Sequence, residues 1–170
     1  MTAGPTYTPI ATTTLGSDTQ TISFTSIPST YTDLVLVFTG ICTTSGTNLA
    51  FRFNNDSGSN YSFTRLRGYS GTFTGDYYSP YSMGISGPLS YGTINSIITL
   101  NIMNYANTSM YKTVYSRSNS IDYASTSGIL GNEVNLWRNT TAINRVDISP
   151  EFGQNFLSGA IATLYGVKEA

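Results

Sequence analysis

The chain has 170 residues, of which only 10% are charged, and its eight basic and nine acidic side chains leave a formal net charge of −1. That balance offers no positive field to a phosphate backbone, so no nucleic acid partner is expected. Histidine is absent, which removes the commonest general base and metal ligand along with any Ser-His-Asp or Cys-His arrangement, and no cofactor or metal is expected.

Residues 1–8, MTAGPTYT, hold small residues and a proline and read as an N-terminal arm that orders against a partner. They show neither a charged leader nor a long apolar stretch. No run in the chain approaches a membrane span, so the expectation is a protein made in a cytoplasm with no membrane partner. Residues 9–170 read as one domain, long enough to bury roughly 70% of the surface its unfolded form exposes.

Period-two runs then follow almost end to end: YTPIATTTL, QTISFTSI, DLVLVFTGI, NLAFRF, YSFTRLRG, INSIITLNIMNY, MYKTVYSR, GILGNEVNLW, INRVDISP and FLSGAIATLYGVK. Each is rich in β-branched and aromatic residues and closes on turn formers, and no helical spacing of apolar residues competes. The reading is an all-β chain of about ten antiparallel strands in a sandwich or barrel, with little or no helix. Leu34, Leu36 and Phe38 share one face, and Ile22 and Phe24 point inward. The last run reads as buried on both sides, with Gly166 marking a bulge.

Between the runs NLAFRF and YSFTRLRG lies the polar centre NNDSGSN. Its alternating Asn54, Asp56, Gly58 and Asn60 resemble a calcium loop. The sixth position is Ser59 where glycine is needed, and the twelfth is Arg65 where a bidentate glutamate is needed. A hairpin connection, with Phe51 and Phe53 facing the core, is the preferred reading. Residues 69–93 combine glycine, tyrosine and two prolines and read as a long binding excursion. Tyr69, Tyr77, Tyr78, Tyr81 and Tyr91 supply flat amphipathic rings, with Asp76 and Ser79 as hydrogen-bonding groups; sugar contact and packing against a neighbouring subunit both suit them. Residues 116–128 read as a smaller polar excursion.

The single cysteine, Cys42, reads as a buried structural thiol and the lone tryptophan, Trp137, as a core residue. Hydrolysis would need paired carboxylates, and Asp76, Asp122, Glu133 and Asp147 are the plausible members, but nothing in their spacing pairs them. The chain is therefore not expected to be an enzyme.

The combination of IPSTYTDLVLVFTG, FRFNNDSGSNYSFTRLRG, WRNTTAINRVDI and the closing run from Phe156 to Gly166 resembles small Ser/Thr-rich β-domain virion proteins of tailed bacteriophages. The resemblance implies a jelly-roll-like sandwich on the virion exterior. A short arm leading directly into a strand looks more like a capsid decoration, or cement, protein than a tail fibre. The implied partners are the major capsid protein and further copies of the chain in a homotrimer. A tail-associated domain that binds a host surface glycan through the tyrosines is the alternative.

Overall fold

A computed structural model describes residues 6–44, 46–121 and 127–168. The described chain forms twelve strands: β1 (Tyr7–Thr14), β2 (Ile22–Phe24), β3 (Asp33–Gly40), β4 (Asn48–Phe53), β5 (Tyr61–Tyr69), β6 (Thr72–Tyr81), β7 (Gly84–Pro88), β8 (Ser96–Ile102), β9 (Lys112–Ile121), β10 (Gly128–Trp137), β11 (Val146–Pro150) and β12 (Ile161–Val167). A single 3-10 turn, Glu151–Gly153, follows β11. All ten apolar-alternating runs are strands; β6 and β7 are additional.

The strands build two antiparallel sheets of unequal width. The larger has the order β1-β12-β3-β8-β9-β10-β5-β6 and the smaller β2-β11-β4-β7. Strand alternation puts Leu34, Leu36, Phe38, Ile98, Leu100 and Leu164 on the inner face of the large sheet. Ile22, Phe24, Phe51, Phe53, Val146 and Ile148 face them from the small one, all essentially buried. Burying each such side chain is worth about 1.5–3 kcal/mol, so this layer holds the sheets together. Cys42 and Trp137 belong to the same core.

Several expectations need correction. FRFNNDSGSNYSFTRLRG is not a hairpin, because β4 lies in the small sheet and β5 in the large one. Its polar centre is an arch that carries the chain across the core. Asn54 and Asn55 take left-handed φ values of 52° and 59°, which asparagine tolerates. The Asn54 side chain accepts from the backbone N–H groups of Asn144 and Arg145. Asp56 accepts from the Gly58 amide at 2.9 Å, Asn60 Nδ2 at 2.9 Å and Trp137 Nε1 at 2.6 Å. Its position between the sheets is thus set by residues from both ends of the arch and from β10.

Nor is 69–93 one long loop. Tyr69 pairs with Thr72 across a two-residue Ser70-Gly71 turn with φ of 47° and 78°, the left-handed pair that a tight hairpin needs. β6 is the edge of the large sheet and buries almost nothing, so Gly75 and Pro80 interrupt no inner ladder. β7 is fully buried in spite of its two glycines, and it depends on them. A Cβ on Gly84 would sit 2.1–2.6 Å from the Phe51 ring, which is itself buried. Gly84→Ala is expected to cost about 1–3 kcal/mol by overpacking, read as a lower urea midpoint with an unchanged slope. Asn135 ties β7 to β10 across the sheets, accepting from the Ile85 amide and donating to the Ile85 carbonyl, both at 2.9 Å.

The polar excursion at 116–128 is largely strand: Ser116, Ser118 and Ser120 of β9 point inward and are buried, while residues 122–126 lie outside the described residues. Gly166 is no bulge; a Cβ there would meet the Tyr31 ring at 2.3 Å, and the register shift lies opposite, between Pro9 and Ala11. β12 is buried on one side only, since Ile161 is exposed while Ala162 and Leu164 are not. Of the proposed arm, Tyr7 and Thr8 already pair with Val167 and Gly166, and residues 1–5 lie outside the described residues.

Candidate functional site

Because the large sheet has twice as many strands as the small one, the β5–β6 hairpin has little sheet opposite it. A groove of about 800 Å3 forms there, bounded by the inner faces of β5 and β6 and by the start of β4, the end of β7 and the 3-10 turn. Four of the seven residues singled out from the sequence line it: Tyr69, Tyr78, Tyr81 and Tyr91. Tyr78 stacks on Phe63 with ring centroids 5.0 Å apart and stays 46% exposed. Tyr69 and Tyr91 are also part exposed. Asp76 is on the same face of β6 as Thr74 and Tyr78, paired across the strands with Arg65 but not itself lining the groove; Tyr77 faces the other side of the hairpin opposite Thr64, and Ser79 is exposed on β6 without lining the groove.

Charge enters the groove from two strand positions. Arg65 and Arg67 are two apart on β5, so both point inward. Arg65 is buried and donates from Nη2 to Asp76 Oδ2 at 2.8 Å, and that bond holds the Asp76 carboxyl below its usual range. The buried Nε atoms of Arg65 and Arg67 have no hydrogen-bond partner. Among the described residues the ion pairs are Arg65 with Asp76 and Arg145 with Asp147, so no carboxylate touches Arg67. Burial and the nearby Arg65 charge both push the Arg67 pKa down.

The opposite wall is acidic. Glu151 accepts from Tyr81 Oη at 2.7 Å and from Asn48 Nδ2 at 2.6 Å. Desolvation, and then the bond to Glu151, push the Tyr81 phenol up to about 12. Beside it Phe152 stands exposed at the rim with φ 65°, a conformation an aromatic residue rarely takes.

Behind the groove floor the sandwich interior is polar. Glu133 is 1% exposed and accepts from Ser116 Oγ at 2.9 Å, while its Oε1 and the Ser118 hydroxyl have no partner. Desolvation pushes the Glu133 pKa to about 7 against the opposing pull of Ser116, Arg65 and Arg67. Asp147, another carboxylate considered for hydrolysis, is on β11 and is ion-paired with Arg145 just before that strand, and Asp122 lies outside the described residues.

Comparison of the chain with protein-family models, curated proteins and solved structures gives no significant match.

A second surface lies on the other side of the same strands. The outward positions of β6, β5, β10 and β8 carry Phe73, Tyr77, Leu66, Leu130, Val134 and Ile97, each roughly half or more exposed. Register aligns them: Phe73 is opposite Gly68, Gly68 opposite Leu130, Leu130 opposite Asn119 and Asn119 opposite Ile97. Arg117 is the one charged side chain facing outward on these strands and on β9 between them. A recess of about 500 Å3 beside Phe73, Ile94, Ile97 and Leu130 adds relief to the face. The arginines of the groove and this face were both written in TRLRG, where Arg65 and Arg67 alternate with Leu66.

Proposed function

We propose that the chain is a non-enzymatic virion structural protein of a tailed bacteriophage, a capsid decoration protein that docks on the major capsid protein and stabilises the shell. The observation that carries this reading is the outward face of the large sheet. Over roughly 19 Å it exposes six large apolar side chains on four strands, to either side of β9, whose outward Tyr115, Arg117 and Asn119 leave it one charged group. Such a cluster of exposed apolar side chains marks a surface that another protein covers. The sequence resemblance supplies the capsid protein as that partner, and the reading puts the protein on the capsid exterior. Contacts of this kind depend little on salt, and binding the folded shell in many copies stabilises it by mass action. Copies of the chain form a homotrimer in this reading, covering the open edges of β1 and β6.

The test is where density for the chain sits on intact particles: many copies over the shell are expected, and a few copies confined to the tail tip would overturn the reading. The double variant Leu66→Lys, Val134→Lys is expected to weaken binding to decorated-site-free capsids about a hundredfold, because two lysines must be desolvated in an apolar contact. Its melting temperature should stay near that of the parent, since neither side chain is in the core. Undiminished binding would remove the face from consideration.

A further inference from the structure

We propose that the groove on the inner side of the β5–β6 hairpin binds an acidic saccharide, with Arg67 taking the carboxylate of a sugar ring that stacks on Tyr78. This goes beyond docking on a capsid and does not rest on it, since the apolar face and the groove use alternate residues of the same strands.

Four observations point to this ligand chemistry. The groove, about 800 Å3, has the size of small-molecule sites and admits one or two pyranose units. Tyr78, held by Phe63 behind it, offers an open aromatic surface to the apolar side of a sugar ring. Arg67 has a buried Nε without a partner and no carboxylate in contact among the described residues, and a guanidinium recognises a carboxylate through paired N–H donors. Arg65 adds a second unpartnered buried Nε on the same floor.

The opposite wall selects what else the ligand carries. Each Glu151 oxygen takes one hydrogen bond from the protein, and a carboxylate oxygen has further acceptor capacity. A ligand with an anionic group at one end and hydroxyl donors at the other matches this polarity. A simple anion meets only the arginine end and is repelled by Glu151, and a neutral sugar brings no carboxylate to the Arg67 Nε. The two guanidiniums stand two residues apart on the same strand face; burial first and the Arg65 charge second lower the Arg67 pKa, and a bound carboxylate opposes both effects.

The experiment is a calorimetric and NMR titration of the full chain with a glucuronate-terminated disaccharide and with its glucose-terminated counterpart. The acidic sugar is expected to bind about tenfold or more tightly than the neutral one, the loss of one charge-assisted hydrogen-bonded pair. Arg67→Gln should abolish that preference, and Tyr78→Ala should weaken both sugars. The Leu66→Lys, Val134→Lys variant should bind the acidic sugar as the parent does, which separates failure of this site from failure of capsid docking. Equal affinity for the two sugars, no binding of the acidic sugar, or binding unchanged by Arg67→Gln would overturn the proposal. So would tighter binding of a peptide ending in a free carboxylate than of the acidic sugar.

Discussion

Asp56→Ala is expected to destabilise the sandwich by about 2–4 kcal/mol, far more than a polar arch residue ordinarily contributes. The Trp137 indole is 1% exposed and its N–H is satisfied by Asp56, so truncation leaves a buried donor without a partner. The same change releases Asn60 and the Gly58 amide, which fix the arch between the sheets. Trp137 in turn stacks on Tyr61 and meets Phe53 edge-on, and the Tyr61 hydroxyl accepts from the Phe53 amide. Damage at Asp56 therefore reaches both sheets. Trp137 is the only tryptophan, so a urea titration followed by its fluorescence reads the local and global effects together. Asp56→Asn, which keeps an acceptor oxygen, should lose roughly half as much.

The pH dependence of the aspartate has a definite sign. Burial raises its pKa, but the bonds from Trp137, Asn60 and Gly58 outweigh this and hold it below 3.8. Its ionised form is thus favoured in the folded state. The contribution is present above the unfolded pKa and is lost as pH falls through the folded value. A loss below about 0.5 kcal/mol in Asp56→Ala would show that the arch is held by other contacts.

Glu133 is expected to act in the opposite direction and over a different range. Its folded pKa of about 7 lies above the ordinary 4.5, so the folded state holds a proton that the unfolded chain has released. The Glu133 contribution is greatest at and below pH 4.5, declines as pH rises towards 7, and levels off above it. The total decline is on the order of 3 kcal/mol. The groups around the carboxyl are Ser116, Arg65 and Arg67, with Asp76 held ionised by Arg65. With no histidine in the chain, little else titrates in that window. Urea midpoints at pH 5, 6, 7 and 8 should trace the decline, and Glu133→Gln should flatten it and exceed the parent in stability at pH 8 (nominal buffer values, chosen to bracket the Glu133 transition). A parent profile that is flat from pH 5 to 8 would show that the carboxyl is already ionised when folded.

Much of the framework was legible in the sequence because apolar alternation is the signal that strands with one buried face produce. DLVLVFTGI and FLSGAIATLYGVK carry it strongly and become β3 and β12, neighbours within the large sheet. The signal fails where the buried face is not apolar. SRSNSI turns small polar residues inward, against the Glu133 interior, and reads as a loop although it ends β9. TFTGDYYSPY buries little on either face and has no alternation to detect, although the Ser70-Gly71 pair before it was a hairpin mark. GISGP is buried by close approach to Phe51 and Ser118, which demands the absence of side chains. The arch was misread for a different reason: local turn chemistry shows that the chain reverses, not which sheet it joins afterwards.

As to the site, the tyrosines were legible as exposed aromatics, and the structure brings four of the seven chosen residues to one groove. The arginines that give the groove its polarity were not recognised, though their spacing placed them on one face. Glu151 and Phe152 reach it only through the 3-10 turn, more than 60 residues further along the chain, a distance no local pattern spans.

The alternation along β5 has a consequence for variation among copies of such a protein. Odd positions from Phe63 to Tyr69 line the groove, while Leu66 between them belongs to the outward face. A single strand thus encodes two surfaces in interleaved letters. Under the two proposals above, substitutions at one set would diversify the ligand of the groove while the other set preserved the docking face, so a lineage pressed to change its ligand would not have to rebuild its attachment.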